Sequence, residues 1–322
     1  MEDRFGRKIE YLRISVTDRC NLRCKYCMPE NGVPMLRHED ILNYDEIIRL
    51  VGLFSKLGIS KIKLTGGEPL VRKNLSALVQ GLKNSEGIEE VTLTTNGTLF
   101  KDQALSLWEA GIDKVNFSLD TLDPERYKEI TTVGNFYDVL EGIEKALEFN
   151  IKTSINVVTL KGYNFDEITT LAGMAYRKPL DVRFIEMMPI GLGAKFDGYT
   201  ESEILRILEE EFGKPEEVLG KTGNGPAKYY KYKDFMGKIG IISSITNNFC
   251  DECNKVRLKS NGFLKLCLGQ NEGVDLREAL RSGMADEELL YLIKTSVYNK
   301  PKSHEFLSAD NSDKTPMSEI GG

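Results

Sequence analysis

Between residues 9 and 190 short β-branched runs alternate with amphipathic stretches of helical length, and that rhythm confines this part of the chain to repeated βα units around a parallel sheet. The spans 10–17, 61–65, 90–95, 114–120, 153–160 and 181–188 read as strands. Six strands are too few to close an eight-stranded barrel, so the expected class is α/β with a partial (βα)6 barrel of TIM type. Helices are expected near 45–57, 75–83, 102–110, 136–149 and 166–176. Asn43 and Glu46 make a capping pair for the first of them, and Gly58 supplies its stop. Working residues of parallel βα folds gather where strands end. The polar or glycine-rich ends here are the Cys20 loop, Thr65-Gly66-Gly67-Glu68-Pro69, Thr94-Thr95-Asn96-Gly97, Ser118-Leu119-Asp120 and Glu186-Met187-Met188-Pro189, and all are expected to line one mouth.

After about residue 192 the rhythm changes. A helical segment, 201–212, runs into a glycine-rich and lysine-rich connection at 213–228, which reads as a boundary. The expected division is a barrel over 1–192, a smaller C-terminal domain over 193–300, and a flexible tail over 301–322 that ends Gly321-Gly322. Within the second part, Asn261-Gly262 stands between two apolar runs and predicts a two-residue hairpin turn, which would carry Cys267 back toward Cys250 and Cys253. Short helices are expected near 276–281 and 287–297.

The six cysteines fall in two triads, Cys20, Cys24 and Cys27 near one end and Cys250, Cys253 and Cys267 near the other. A three-disulfide framework belongs to short secreted chains, whereas this one has 322 residues and an N-terminus, MEDRFGRKIEYL, with neither a secretory apolar core nor the character of a transit peptide. Cytoplasm is the expected location. No apolar run has the length of a membrane span, and a net charge of −6 argues against a general binder of nucleic acid or membrane surfaces.

The first triad lies in Cys20-Asn21-Leu22-Arg23-Cys24-Lys25-Tyr26-Cys27, directly after a predicted strand. This spacing resembles the radical S-adenosylmethionine superfamily. Three thiolates on a four-iron cube leave one iron open, and the resemblance implies that S-adenosylmethionine occupies it. Gly66-Gly67-Glu68-Pro69 resembles the superfamily's second motif, in which backbone groups and the acidic side chain hold the amino group of that cofactor. Tyr26, Gly67, Glu68, Ser118 and Met188 match its cofactor-binding positions. The second triad, Cys250-x2-Cys253-x13-Cys267, fits a zinc site or a second iron–sulfur cluster about equally by local spacing. A zinc would need an acidic ligand or a long reach, because only His38 and His304 are available.

Three further marks narrow the resemblance to the molybdenum cofactor biosynthesis protein A family, the GTP 3′,8-cyclases. They are Asn254-Lys255-Val256-Arg257-Leu258, Arg183-Phe184-Ile185-Glu186-Met187-Met188-Pro189, and the terminal Gly321-Gly322. The likeness spans nearly the whole chain and implies two 4Fe-4S clusters held by the six cysteines, with S-adenosylmethionine on the first and the guanine base on the second. It implies a 5′-deoxyadenosyl radical that removes the ribose 3′ hydrogen of GTP, after which C3′ attacks C8, the first step of molybdenum cofactor biosynthesis. Gly321 and Gly322 then reach the active site beside Cys20, Cys24 and Cys27. Matching substrate positions are Arg13, Lys63, Thr94, Ser154, Arg183, Lys255, Val256 and Arg257. Lys63 and Lys255 stand where the family usually has arginine, which loses the bidentate fork, and Ser154 stands where lysine is usual. Lys152, on the same strand face as Ser154, is a candidate replacement. The implied partners are GTP, an electron donor of flavodoxin or ferredoxin type and a downstream pterin-forming enzyme, with a possible homodimer. The alternatives are a radical paralogue acting on another nucleotide, a peptide maturase with an auxiliary cluster, a non-catalytic cluster carrier, or a zinc-stabilised binding module.

Overall fold

Strand-forming runs that bury one face against helices should pair side by side, and the six expected strands do so in sequence order. In the computed structural model, which describes residues 1–220, 223–306 and 315–321, they are β1 (Tyr11–Ser15), β2 (Lys61–Thr65), β3 (Glu90–Thr95), β4 (Lys114–Ser118), β5 (Lys152–Val158) and β6 (Asp181–Ile185). Each pairs in parallel with the next. Between them lie α1 (Tyr44–Lys56), α2 (Leu75–Lys83), α3 (Phe100–Glu109), α4 (Pro124–Thr131), α5 (Phe136–Glu148) and α6 (Ile168–Arg177). The Asn43–Glu46 capping box forms as expected. The helix α4 was not foreseen, although Asp123 caps it through the amides of Glu125 and Arg126 and Pro124 opens it.

Side chains alternate across each strand. Ile14, Leu64, Leu93, Phe117, Ile155 and Phe184 point outward and join one core with the helices, all without solvent exposure. The opposite face, turned into the barrel, is largely polar. Central strands of parallel sheets usually carry apolar residues on both faces, so the polar face has a desolvation cost that packing does not explain.

The C-terminal part is α7 (Glu201–Phe212), β7 (Glu216–Val218), β8 (Lys228–Lys231), β9 (Ile239–Ile242), β10 (Lys255–Leu258), β11 (Phe263–Lys265), β12 (Gly273–Asp275), α8 (Leu276–Arg281), α9 (Asp286–Tyr298) and α10 (Met317–Ile320). It does not stand apart as a separate sheet. Strand β9 pairs in parallel with β6, and β10 pairs in parallel with β1, so both edges of the expected six-stranded sheet are completed from residues beyond 192. The full order is β12-β11-β10-β1-β2-β3-β4-β5-β6-β9-β8-β7, an open sheet ending on antiparallel strands.

The hairpin between β10 and β11 also differs from expectation. Lys259 and Phe263 close the loop through Lys259 N–H to the Phe263 carbonyl at 2.9 Å, and Gly262 N–H donates to the Lys259 carbonyl at 2.9 Å. The loop is therefore three residues, Ser260 to Gly262, with Gly262 at φ 82°, the turn-plus-bulge form rather than the two-residue one. The expected flexible tail is packed where it is described: Ile320 is 1% exposed and sits with Ile190 and Phe306.

Candidate active site

Strand parity and register put a set of cations on the inner face. Arg13 lies beside Lys63 on one side and Arg257 on the other, and Tyr11 lies beside Lys255. Lys63 neighbours Thr92, which neighbours Lys114; Thr94, Asn116 and Ser154 form the next row, and Ser118, Asn156 and Arg183 the one after. Val256 does not belong to this face. Its side chain is fully buried in the outer core, because it alternates with Lys255 and Arg257, so the expected substrate contact from Val256 is not one its side chain can make.

The cations crowd one another. Burial pushes the Lys63 ammonium well below its ordinary value, and Arg183, Arg13, Lys114 and Lys255 add to the effect. Lys255 is brought down to about 7 by burial, with Cys253 opposing and Arg13 and Arg257 reinforcing. Arg257 is brought down to about 9 by burial and by Arg13. Arg183 donates to the Asn116 side-chain oxygen, and Asn116 in turn donates to the Leu93 carbonyl at 3.1 Å. The Arg183 Nε, Ser154 Oγ and Asn156 Oδ1 are buried without a hydrogen-bond partner. Buried charges, and orphaned donors such as Arg183 Nε and the Ser154 hydroxyl, are stable only when something pairs with them. A polyanion in the lumen fits that requirement.

Lys152 shares the inner-face parity of Ser154 but stays exposed at the start of β5. Lys114, which the sequence reading missed, is the lysine that reaches inward. Burial lowers it to about 8, with Arg183 reinforcing and Asp181, 3.9 Å away, opposing. Its signal was available, since Lys114, Asn116 and Ser118 share one strand face.

At the strand ends, Cys20, Cys24 and Cys27 lie in the loop after β1, with Cys27 N–H bonding the Cys24 carbonyl at 2.9 Å. The six cysteines are all free thiols. Burial holds Cys24 well above the usual thiol range, with Cys27, Asp120 and Cys20 adding to it, and Cys27 is pushed up to about 12 by burial and by Cys20. Thiols close enough to repel one another as anions suit a shared cationic centre, which would replace their protons. A cleft beside them is lined by Cys24, Tyr26, Asn96, Ser118 and Asp120. Asp120, expected at the mouth but given no role there, accepts the Tyr26 hydroxyl at 2.6 Å and the Val158 amide at 2.8 Å. Burial raises its carboxyl to about 6.

The glycine turn is pressed onto the cysteine loop. A β-carbon at Gly67 would lie 2.4 Å from the Arg19 carbonyl oxygen, and one at Gly66 2.6 Å from that of Thr17, so neither position admits a side chain. Both Glu68 oxygens accept from the chain itself, from Leu70 N at 2.9 Å, Thr95 Oγ1 at 2.7 Å and Asn96 N at 2.6 Å. Burial lifts this carboxyl to about 7. Glu68 thus ties the glycine turn to the end of β3, a structural duty beyond the expected cofactor contact. Across the mouth, Met188 packs against the cluster that contains Ile320. The Gly321 carbonyl accepts from Arg257 Nη1 at 3.0 Å, and a backbone hydrogen bond from Ser318 reaches Cys27. The tail therefore joins the cation face to the first triad; Gly322 lies outside the described residues.

The second triad is framed by different charges. Cys267 and Cys253 act on Cys250, which burial raises against a backbone hydrogen bond from His304. Cys253 is lowered: burial opposes this, and Lys300 and Lys255 outweigh it. The His304 ring is committed elsewhere, with Nε2 3.1 Å from the Ser244 carbonyl oxygen and Nδ1 facing the Phe306 amide. Among the described residues, at this triad and at the first alike, no three His, Cys, Asp or Glu side chains converge on a point suited to a single ion. The loop before Cys250 hangs on Glu186, which accepts from Glu201 N and Ile245 N at 3.0 Å each, Thr246 N at 3.1 Å and the Thr246 hydroxyl.

Known proteins divide along the same line. The family profile described as the Radical SAM superfamily matches residues 14–175, and that described as Molybdenum Cofactor Synthesis C matches residues 180–306. A curated GTP 3′,8-cyclase of Clostridium perfringens (strain SM101 / Type A) is 48% identical over 327 residues, with 100% of both chains covered. One from Desulforamulus reducens is 44% identical over 326 residues with the same coverage. Among solved structures, Streptococcus suis SuiB bound to S-adenosylmethionine is similar in fold, with a TM-score of 0.61 at 15% identity over 84% of this chain and 64% of that one.

Proposed function

This chain belongs to the GTP 3′,8-cyclase family of radical S-adenosylmethionine enzymes, and from that premise we propose how its residues share the work. The activity is the cyclisation of GTP between C3′ and C8, which opens molybdenum cofactor biosynthesis. When bound, two 4Fe-4S clusters and S-adenosylmethionine supply the electron and the 5′-deoxyadenosyl radical for hydrogen removal.

Cys20, Cys24 and Cys27 hold the first cluster. Tyr26, Gly67, Ser118 and Met188 bound the cofactor pocket, and Glu68 fixes the shape of the glycine turn. Arg13, Lys63, Lys114, Arg183, Lys255 and Arg257 receive the triphosphate, with Thr94 and Ser154 on the same face. The observation that carries this assignment is the crowd of buried cations on the inner face, which depress one another. Cys250, Cys253 and Cys267 hold the second cluster and the guanine end of the substrate. The tail, through Gly321 on Arg257, shields the reacting atoms and helps exclude water.

An electron donor of flavodoxin or ferredoxin type and a downstream pterin-forming enzyme complete the reading, with a cytoplasmic location and a possible homodimer. No helix among the described residues is long and apolar enough to cross a membrane. The test is anaerobic turnover of reconstituted protein with reductant, S-adenosylmethionine and GTP, following 5′-deoxyadenosine and separating the cyclised isomer chromatographically. Both products are expected. 5′-Deoxyadenosine without cyclised GTP would retain the radical chemistry and overturn the substrate.

A further inference from the structure

We infer that Lys300 and Arg7 form a cationic clamp that positions the two cysteine loops of the second cluster and supplies the counter-charge to its thiolates. The inference rests on the reading that Cys250, Cys253 and Cys267 hold an iron–sulfur cluster.

Lys300 follows α9 and is 2% exposed. Its ammonium donates to the Leu266 carbonyl at 2.5 Å, the residue before Cys267. Among the described residues no carboxylate pairs with it. A fully buried ammonium with one neutral acceptor is an unstable arrangement unless an anion stands close by. The bond to Leu266 sets the ammonium one residue from Cys267, and its charge acts on the Cys250 and Cys253 thiols. A cubane ligated by three thiolates is a net anion, more so when reduced, and so provides the missing partner.

Arg7 does the mechanical part. It is 8% exposed and neutralised by Asp3, its Nε 2.6 Å from the carboxylate. The rest of its guanidinium donates to three carbonyls, those of Cys250 at 2.7 Å, Lys302 at 2.6 Å and Pro301 at 2.5 Å. One planar side chain from the N-terminus thus binds the Cys250 loop to the segment that follows Lys300. Between them, Arg7 grips the first loop of the triad and Lys300 the second, and both anchor on residues 300–302.

The first triad is built differently. Its sulfurs feel two acids, Asp120 and Glu68, with Arg23 acting on Cys20 in the opposite sense, and no buried lysine stands among these groups. A cation beside a cluster favours its reduced form and raises its reduction potential, so Lys300 sets the second cluster apart from the first.

The experiment uses full-length protein in which Cys20, Cys24 and Cys27 are alanine, leaving only the second triad to hold iron. After anaerobic reconstitution, iron and sulfide are counted per chain and the midpoint potential is read by redox titration under electron paramagnetic resonance. Lys300→Met is expected to move the midpoint to more negative potential, with Lys300→Arg restoring it. Lys300→Gln, which keeps a donor and drops only the charge, gives the same reading if Lys300→Met does not fold. Arg7→Lys, which keeps charge and loses the three-way grip, is expected to retain the midpoint and lower iron retention. An unmoved midpoint in a fully loaded Lys300→Met or Lys300→Gln protein overturns the counter-charge, and full iron retention in Arg7→Lys overturns the clamp. Absence of any cluster in the parent variant would instead overturn the two-cluster reading itself, and the inference with it.

Discussion

Lys114 is an inner-face cation whose protonation is expected to couple to nucleotide binding. The charged groups acting on it come from several strands: Arg183 and Asp181 from β6, Glu90 from β3 and Lys152 from β5. Burial and Arg183 outweigh the two acids, so the ammonium loses its proton at about 8, well below its ordinary value. The sign follows directly. Above pH 8 the empty protein carries a neutral amine there, a bound triphosphate favours the ammonium, and binding takes up a proton; affinity for GTP therefore falls as pH rises through 8 to 10. Calorimetry at pH 9 in buffers of different ionisation enthalpy should detect that uptake, and Lys114→Arg should reduce it, with Lys63 and Lys255 supplying the remainder. Lys114→Met is expected to weaken GTP by roughly tenfold, about 1.4 kcal/mol, as for one lost charge-assisted contact, with little effect on guanosine. Equal weakening of both ligands would mean that Lys114 only supports the fold. At this scale the sequence was informative wherever parity could be applied. Arg13, Lys63, Arg183, Lys255 and Arg257 share one face as the resemblance implied, whereas Val256, taken over as part of a contiguous block, faces the core. Parity sets the Val256 side chain off that face and puts Lys114 on it.

Elements were legible where their signals are local. The Asn43–Glu46 box and the glycine stop delimit α1 because caps depend on residues a few positions apart, and the same logic would have found α4 from Asp123-Pro124. The loop from Ser243 to Phe249 could not be read this way, since its anchor, Glu186, lies at the end of β6. Four donors converge on that carboxylate, three of them from Ile245 and Thr246, and it is 3% exposed. Removing it strands those donors in a dry site, which costs roughly 3–5 kcal/mol for a buried charged hub. Glu186→Ala should therefore lower the denaturation midpoint and free the approach to Cys250. Iron and sulfide after reconstitution are expected to fall toward the content of one cluster, while the first triad keeps its own. Hydrogen exchange across 243–250 should rise in parallel. Wild-type iron content with unchanged exchange would show that the loop is held by other contacts, such as those Glu201 makes to Ser243 and Asn247.

Across the whole molecule, the two halves recognised by composition are joined through the sheet itself. The run Ile239-Gly240-Ile241-Ile242 is too short to announce a parallel strand, and parallel pairing carries no turn signal because its partner lies far away in sequence. Yet β9 completes one edge by pairing Val182 with Ile239 through Ile185 with Ile242, and β10 completes the other by pairing Tyr11 with Lys255 through Ile14 with Leu258. The second pairing also carries the site, because it sets Arg257 beside Arg13 and leads from Cys253 into the lumen. A break after residue 192 would expose the backbone of β1 and β6 along their full length and leave the outer faces near Ile14 and Phe184 without Leu258 and Ile241. Exposed parallel edges flanked by apolar residues are templates for association. Residues 1–192 expressed alone are therefore expected to aggregate or to give a broad, non-cooperative melt, and co-expression with 193–322 should restore solubility by supplying both edge strands. Size-exclusion chromatography and circular dichroism of the two preparations make the comparison. A monomeric 1–192 fragment with a sharp transition would mean that the six strands form a self-sufficient core and that β9 and β10 are additions to it, in which case the cation face could assemble at Arg13, Lys63 and Arg183 before the C-terminal half arrives.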